Sequence, residues 1–237
     1  MWNRTADQID LYLIRHGMTA GNQEHRYIGG RTDEPISEEG RQQLANRKKQ
    51  MFEIQTQKKS EYEGSIYESG HFLSLFVSPM LRCRQTAEVL FPDQPQTEID
   101  AWREMDFGIF EGKNYQELNG DPHYQAWIDS GGTLAFPGGE SREYFVERCV
   151  EGMGLVMENL RQVVKSSCIS YREKSTGDGI SKPSPVQAAA IVHGGTIMAL
   201  LSHYCGGDYF SYQVKNGEGY HLCLYLNEGK MELKGKL

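Results

Sequence analysis

The chain lacks a surplus of positive charge, a pair of closely spaced cysteines and a long apolar run. Its 25 lysines and arginines are outnumbered by 32 aspartates and glutamates, which gives a formal net charge of -7. No basic field is therefore available to attract nucleic acid or an anionic membrane surface. No apolar stretch approaches the roughly 20 residues that a membrane-spanning helix needs. We expect neither nucleic acid nor a membrane as a partner.

The cysteines point to a reducing compartment. There are five, an odd number, and they are widely scattered without a Cys-x-x-Cys motif, so neither a zinc site nor a redox site is indicated. Scattered thiols of this kind are typical of cytoplasmic proteins. The first ten residues, MWNRTADQID, are polar and lack the apolar segment of a signal peptide. We expect a cytoplasmic protein that holds no metal and no other cofactor.

Strand-like and helix-like segments alternate along the 237 residues. Short apolar runs predict buried strands at Ile9–Ile14, Phe72–Val77 and Ala188–His193. The predicted helices begin at Ser37 as N-cap, at Pro79 as first helical residue, at Ser141 and at Gly194. The last segment, Gly219–Lys234, is predicted to be a hairpin that turns at Asn227–Gly229. This order predicts one α/β domain over residues 1–237, with three layers (α/β/α) and a mostly parallel central sheet.

Two polar stretches interrupt this alternation. Residues 60–70 read SEYEGSIYESG, and residues 166–187 read SSCISYREKSTGDGISKPSPVQ. Both are rich in residues that favour turns and solvent, so we expect two surface insertions.

Three of the predicted strands end in residues that suit a phosphate group. The first strand runs into RHG at 15–17, the second into SPMLR at 78–82, and the third into HGG at 193–195. The carboxyl ends of parallel strands meet at one edge of a sheet, where ligands bind. Arginine matches phosphate oxygens in a bidentate way, glycine lets backbone N–H groups approach an anion, and a neutral imidazole can attack phosphorus. The sequence therefore predicts a phosphate site with a histidine nucleophile.

Five blocks in a fixed order carry a family resemblance. They are LIRHGMTAGN, SPMLRCRQTA, REMDFGIFEG, PGGES and IVHGG, spread over the first 195 residues. The chain resembles the histidine phosphatase superfamily, also called phosphoglycerate mutase-like. That resemblance implies a three-layer α/β fold and metal-independent phosphoryl transfer through a histidine.

The resemblance also implies roles for the residues at matching positions. His16 is expected to be the nucleophile, and Glu104 the proton donor to the leaving group. The remaining residues of the phosphate pocket are expected to be Arg15, Asn22, Arg82, His193 and Gly194, with His193 also taking part in catalysis. Arg26 and Gly29 are expected to be flanking substrate-binding positions.

Glu111 is a rival of Glu104 for the role of general acid. A general acid needs a raised pKa, which burial in apolar surroundings provides. The neighbours Trp102, Met105 and Phe107 give Glu104 that setting, so we favour Glu104.

The segment between Gly108 and Ser141 bears on the choice between phosphatase and mutase. It holds one basic residue, Lys113, against five acids, together with four prominent aromatic residues, Tyr115, Tyr124, Trp127 and Phe136. A mutase needs further cations to hold a second anionic group. An acidic, aromatic segment favours a phosphatase acting on a neutral or ring-bearing leaving group.

The expected partner is a small phosphorylated metabolite. The blocks REMDFGIFEGKNYQEL and FPGGES most resemble α-ribazole phosphatases of cobalamin synthesis, so α-ribazole 5′-phosphate is one candidate. Broad-specificity sugar phosphatases, phosphoglycerate mutases and phosphotyrosine phosphatases are the enzymatic alternatives. A regulatory or binding module without activity is the alternative from another class, although every expected site residue is present. The sequence leaves the oligomeric state open, a dimer included.

Overall fold

The structure is a computed structural model that describes residues 8–57, 74–174 and 186–237. The strands are β1 (Gln8–Arg15), β2 (Ser74–Val77), β3 (Gln96–Glu98), β4 (Val186–Val192), β5 (Gly219–Tyr225) and β6 (Lys230–Lys236). The α-helices are α1 (Ala20–Gln23), α2 (Glu38–Gln57), α3 (Leu81–Leu90), α4 (Pro122–Asp129), α5 (Arg142–Lys174) and α6 (Gly194–Cys205). Short 3₁₀ helices lie at Asp100–Trp102, Gly108–Phe110 and Tyr209–Tyr212.

The strands form one six-stranded sheet in the order β3-β2-β4-β1-β5-β6. Strands β3, β2, β4 and β1 run parallel to one another, while β5 is antiparallel to both β1 and β6. The prediction of a mostly parallel sheet is confirmed, and so is the hairpin formed by β5 and β6.

Helices cover both faces of the sheet. Along β1, Ile9, Leu11 and Leu13 lie in one apolar cluster with residues of α5 and α6. Tyr12 and Ile14 lie in a second cluster with residues of α2 and α3. Because successive side chains of a strand point to opposite faces, an unbroken apolar run such as β1 requires cover on both. The three-layer α/β/α prediction is confirmed.

Helix α3 begins later than predicted. Its first helical residue is Leu81 and its N-cap is Met80, so the prediction that Pro79 opens the helix is wrong. The Ser78 N–H donates to Ile191 O at 3.0 Å, which continues the pairing of β2 with β4 beyond Val77. The chain therefore leaves the sheet one residue later and turns into the helix only after Pro79.

The two predicted insertions have different outcomes. Residues 60–70 lie outside the described part of the chain. In the second stretch, residues 166–174 are helical, since α5 extends to Lys174, so the prediction of a loop there is wrong. No glycine or proline interrupts these residues, which lets the helix continue. Residues 175–185 lie outside the described part, and β4 begins at Val186.

The carboxyl ends of β1, β2 and β4 lie side by side, because β4 pairs in parallel with both of the others. His16, Ser78 and His193 directly follow these three strands. Within the described ranges, no helix has the length and apolar character needed to cross a membrane.

Candidate active site

His16 is a buried, neutral imidazole. Its backbone N–H donates to Val192 O at 2.9 Å, which ties it to the end of β4. Its Nδ1 lies 2.7 Å from Gly17 O. A carbonyl oxygen can only accept, so Nδ1 carries the proton and the lone pair is on Nε2. Burial first, and then the charges of Arg82 and Arg15, hold the pKa of His16 well below its ordinary value.

Arg82 is fully buried on α3. Its guanidinium donates to Thr32 O at 2.9 Å, to Gly29 O at 3.2 Å and to His193 Nδ1 at 3.3 Å. An arginine has five N–H groups, so two remain for a ligand. The Gly29 carbonyl thus anchors Arg82.

His193 has both ring nitrogens in contact with protein groups. Since Arg82 can only donate, Nδ1 accepts its bond, and the proton on Nε2 points to Ser78 Oγ at 2.8 Å. The rings of His16 and His193 meet edge to face with 5.2 Å between centroids. In this arrangement His193 orients Arg82 beside His16. Ser78 belongs to this cluster, although the sequence pattern indicated no role for it beyond the start of a helix.

Arg15 and Asn22 contribute further donors. The Arg15 Nη1 donates to Val214 O at 2.7 Å, and its buried Nε has no acceptor among the described residues. Burial lowers the pKa of Arg15. The carboxamide oxygen of Asn22 accepts from Asn216 Nδ2 at 2.9 Å, which leaves the amide nitrogen of Asn22 as the donor.

Asn216 is a positioning residue that the sequence did not reveal. Besides Asn22, its Nδ2 reaches His16 O at 3.1 Å and Gly17 O at 3.4 Å. It therefore fixes the turn that carries His16. Its sequence distance from these partners, about two hundred residues, leaves no local pattern by which it could be found.

Glu104 and Glu111 occupy different settings. Glu104 is buried, its Oε1 accepts from the Met105 N–H at 2.9 Å, and its Oε2 lies 4.0 Å from His193 Nδ1. Burial raises the pKa of Glu104, opposed by the Met105 N–H and by the charges of Arg82 and Arg15. Glu111 instead accepts from the backbone N–H groups of Gly29 at 2.9 Å and Phe107 at 3.4 Å. It holds a loop together.

The backbone around Glu104 is held by Arg148 of α5. Arg148 donates to the carbonyls of Ala101 at 2.8 Å, Arg103 at 2.7 Å and Glu104 at 3.1 Å. It also forms a bidentate pair with Glu140 at 2.6 and 2.7 Å. The sequence offered one signal for this clamp, because Glu140 lies in the PGGES block.

The remaining site residues also have defined places. A Cβ on Gly29 would lie 2.2 Å from Met105 O, so only glycine fits there. A Cβ on Gly194 would lie 3.4 Å from Arg15 Nε, which places this backbone against Arg15. Arg26 pairs with Glu24 at 2.6 Å and with Glu117 at 2.7 Å. These acids neutralise Arg26, and its role toward substrate stays a prediction.

Two cavities adjoin the site. One of about 280 Å³ is lined by Glu104 and by an aromatic wall that includes Tyr27, Phe107, Trp127, Phe136, Tyr209 and Phe210. The other, of about 900 Å³, is lined by Arg15 and Asn22 and by the cations Arg26, Arg47 and Lys215. Over residues 8–57, 74–174 and 186–237, no group of three or more His, Cys, Asp or Glu side chains is arranged to hold a metal ion.

Chemically, the site offers a neutral nucleophile, two guanidinium groups and a carboxyl group whose pKa is raised. The guanidiniums can neutralise a phosphate dianion, the lone pair of His16 Nε2 can attack phosphorus, and the carboxyl can donate a proton. Phosphoryl transfer calls for these three functions.

Comparison with known proteins agrees with this geometry. Residues 11–164 match the family model described as histidine phosphatase superfamily (branch 1). A curated relative, fructose-2,6-bisphosphatase TIGAR B of Danio rerio, is 24% identical over 206 residues, 81% of this chain and 73% of the relative. A crystal structure of an Escherichia coli protein, described as a putative alpha-ribazole-5′-P phosphatase, has a TM-score of 0.67 and 20% identity, covering 96% of this chain and 95% of that one. The phosphoglycerate mutase of Bacillus anthracis has a TM-score of 0.64 and 20% identity, covering 98% and 95%.

Proposed function

The chain belongs to the histidine phosphatase superfamily, and from that premise we propose that it hydrolyses phosphomonoesters through a phosphohistidine formed on His16. Members of the superfamily are phosphatases or mutases. The observation that carries the proposal is the state of His16, whose Nδ1 proton is held by Gly17 O at 2.7 Å and whose pKa is lowered by burial and two arginines.

In the first step the substrate phosphate binds between the guanidiniums of Arg15 and Arg82, with Asn22 donating to a third oxygen. His16 Nε2 then forms a bond to phosphorus as the bond from phosphorus to the ester oxygen breaks. The guanidiniums neutralise the charge on the equatorial oxygens. The proton stays on Nδ1 of the imidazole and is donated in a hydrogen bond to Gly17 O, which stabilises the positive charge that develops on the ring.

Glu104 acts on the leaving group in this proposal. Its raised pKa keeps the carboxyl protonated closer to neutral pH, so that it can transfer a proton to the departing oxygen. The resulting carboxylate then accepts a proton from water as the water oxygen attacks phosphorus. This second step breaks the bond to His16 Nε2, releases phosphate and returns the proton to Glu104.

A phosphatase is preferred to a mutase because of the cavity beside Glu104. Six of the fourteen residues that line it are aromatic, which suits a ring-bearing leaving group. α-Ribazole 5′-phosphate, the substrate class named for the E. coli structural neighbour, carries such a ring and is the first metabolite to test. A sugar phosphate or sugar bisphosphate is the second, given the relative named a fructose-2,6-bisphosphatase.

The proposal is tested by trapping the intermediate. We expect wild-type protein, mixed rapidly with an aryl phosphate, to give acid-labile, base-stable phosphate that maps to His16. We expect His16→Ala to retain less than about one per cent of wild-type turnover, because covalent participation lowers the barrier by several kcal/mol. The exposed His203 provides a matched control, and His203→Ala should keep full turnover.

A His16→Ala protein that folds and keeps more than about one per cent of turnover would reject the covalent role. Absence of turnover by the wild type on aryl phosphates, α-ribazole 5′-phosphate and sugar phosphates alike would favour the binding module instead.

A further inference from the structure

Arg142 is a cation at the wall of the aromatic cavity, and no acid of the described part of the chain pairs with it. It lines the same cavity as Glu104. Its guanidinium carbon lies 5.4 Å from the ring centroid of Tyr209 and 6.0 Å from that of Phe210. Among the residues that the structure describes, it forms no ion pair and no hydrogen bond. Its charge is therefore available to a ligand in the cavity.

Helix stability does not explain this arginine. Arg142 is the first residue of α5, where the positive end of the helix dipole disfavours a cation. The first turn of a helix favours an acidic residue, and in α5 that residue is Glu143. A cation held here, against two aromatic rings and beside the general acid, indicates a role in binding.

The cavity relates Arg142 to the proposed reaction. A phosphate bound at His16 would place its ester oxygen at Glu104, and the leaving group would then enter the cavity of about 280 Å³ that Glu104 lines. The body of the leaving group would contact the aromatic wall. Its distal end would reach the guanidinium, which binds carboxylate or phosphate oxygens.

We propose that Arg142 is a specificity-determining residue that binds an anionic substituent, carboxylate or phosphate, on a ring-bearing leaving group. This inference rests on the proposed function. It also changes one expectation from the sequence. The segment judged poor in cations ended at Ser141, and the cation that meets the leaving group is the next residue.

The test compares three phenyl phosphates that differ only at the far end of a two-carbon chain in the para position. The chain ends in a carboxylate, a phosphonate or a neutral carboxamide, and the two methylenes keep the leaving-group pKa nearly constant. We expect wild-type kcat/KM to be about fivefold higher for either anionic ester than for the amide, as one partly exposed ion pair provides. A difference between the carboxylate and the phosphonate identifies which anion the cavity prefers.

Arg142→Gln should reduce the two anionic esters to the level of the amide without changing the amide, and Arg142→Lys should restore part of the preference. Lys165→Gln provides the control, since it removes the same charge from an exposed position of α5, about 34 Å along the helix. It should keep the full preference.

Two results would overturn the proposal, and they differ from failure of the proposed function. One is equal use of the three esters by the wild type. The other is an anion preference that survives in Arg142→Gln, which would leave Arg142 only a packing role against Tyr209 and Phe210. If no ester is hydrolysed by the wild type, the proposed function itself fails.

Discussion

Glu104 and Glu111 show how two carboxylates seven positions apart acquire different chemistry. Both carboxylate oxygens of Glu111 accept hydrogen bonds from backbone N–H groups. In Glu104, by contrast, Oε2 lies 4.0 Å from His193 Nδ1. Burial raises the pKa of Glu104, and a carboxyl with a raised pKa is the better proton donor near neutral pH. The two carboxylates therefore differ in their contacts, and kinetic measurements on variants can distinguish their roles.

Glu104→Gln should strongly slow the hydrolysis of alkyl phosphates, because a departing alkoxide needs a proton. It should change the burst of His16 phosphorylation by an activated aryl phosphate much less, since that leaving group departs without help. Glu111→Gln should behave nearly like wild type in both assays, because its one carboxamide oxygen can keep the shorter bond from the Gly29 N–H at 2.9 Å and gives up only the 3.4 Å bond from the Phe107 N–H. Rapid-quench burst measurements decide the matter. Exchange of the two profiles between the variants, or equal slowing of both reactions by Glu104→Gln, would contradict the assignment.

The pH dependence follows from two shifted groups of opposite sign. The lowered pKa of His16 keeps the imidazole neutral to lower pH than an ordinary histidine, so the acid limb of kcat/KM should fall below the usual histidine range. The raised pKa of Glu104 keeps its proton to higher pH than an ordinary carboxyl, and the alkyl reaction should decline as pH rises through that value. The measured profile is corrected for ionisation of the substrate's own phosphate group, which occurs at about pH 6. Glu104→Gln should lose the alkaline limb. Persistence of that limb would assign it to another group.

Helix α5 contacts the segment that carries Glu104, and a glycine makes the contact possible. A Cβ on Gly152 would lie 2.7 Å from Trp102 Nε1, whereas a Cβ on Gly154 would meet nothing within 4 Å. The Trp102 indole N–H donates to Cys149 O on the same helix at 3.1 Å. The close approach of α5 at Gly152 therefore fixes the 3₁₀ turn just before Glu104.

Gly152→Ala should lower the free energy of unfolding by about 1–3 kcal/mol, because the added methyl group overpacks against the Trp102 indole. Gly154→Ala should raise it by about 0.5–1 kcal/mol, since alanine loses less backbone entropy in a helix. Urea unfolding of the pair measures both. A stabilising effect of alanine at both positions would show that Trp102 can move away from α5 at no cost.

Local sequence patterns predicted the strands and helices themselves. Some of their boundaries were mispredicted, because they depend on contacts with distant parts of the chain or on patterns that a helix and a loop share. The buried strand β1 and the hairpin of β5 and β6 could be predicted because their apolar runs and turn residues are local. The start of α3 could not, since it depends on the pairing of Ser78 with Ile191 of another strand. The length of α5 was underestimated because polar residues after Val164 look the same in a solvated helix and in a loop.

The site was predictable where residues belong to a motif at a strand end, and unpredictable where they act from a distance. The blocks around His16, Arg82 and His193 led to residues that the structure brings together. The role of Asn216 could not be predicted, because its hydrogen-bond partners lie about two hundred residues away in the sequence. The engagement of both nitrogens of His193 could not be predicted either, since it depends on how three elements pack.

The chain as a whole is acidic, with a formal net charge of -7, yet the site where phosphate would bind is lined by Arg15 and Arg82. In the proposed mechanism these guanidiniums supply the positive charge that a divalent cation supplies in other phosphoryl-transfer sites. Turnover should therefore be unchanged in excess EDTA, measured by release of phosphate from an aryl ester. If EDTA abolished turnover and added magnesium or zinc restored it, the proposed mechanism would be contradicted.

The two edge strands of the sheet, β3 and β6, affect whether molecules associate through strand pairing at high protein concentration. At one end β3 has only three residues, Gln96–Glu98. At the other, β6 presents Lys230, Glu232, Lys234 and Lys236, and its lysines pair with Glu228, Glu232 and Glu218. A strand from another molecule would find too short a template at β3 and would have to bury charge at β6. Both edges therefore disfavour pairing with a strand of another molecule, although the central strands are apolar on both faces.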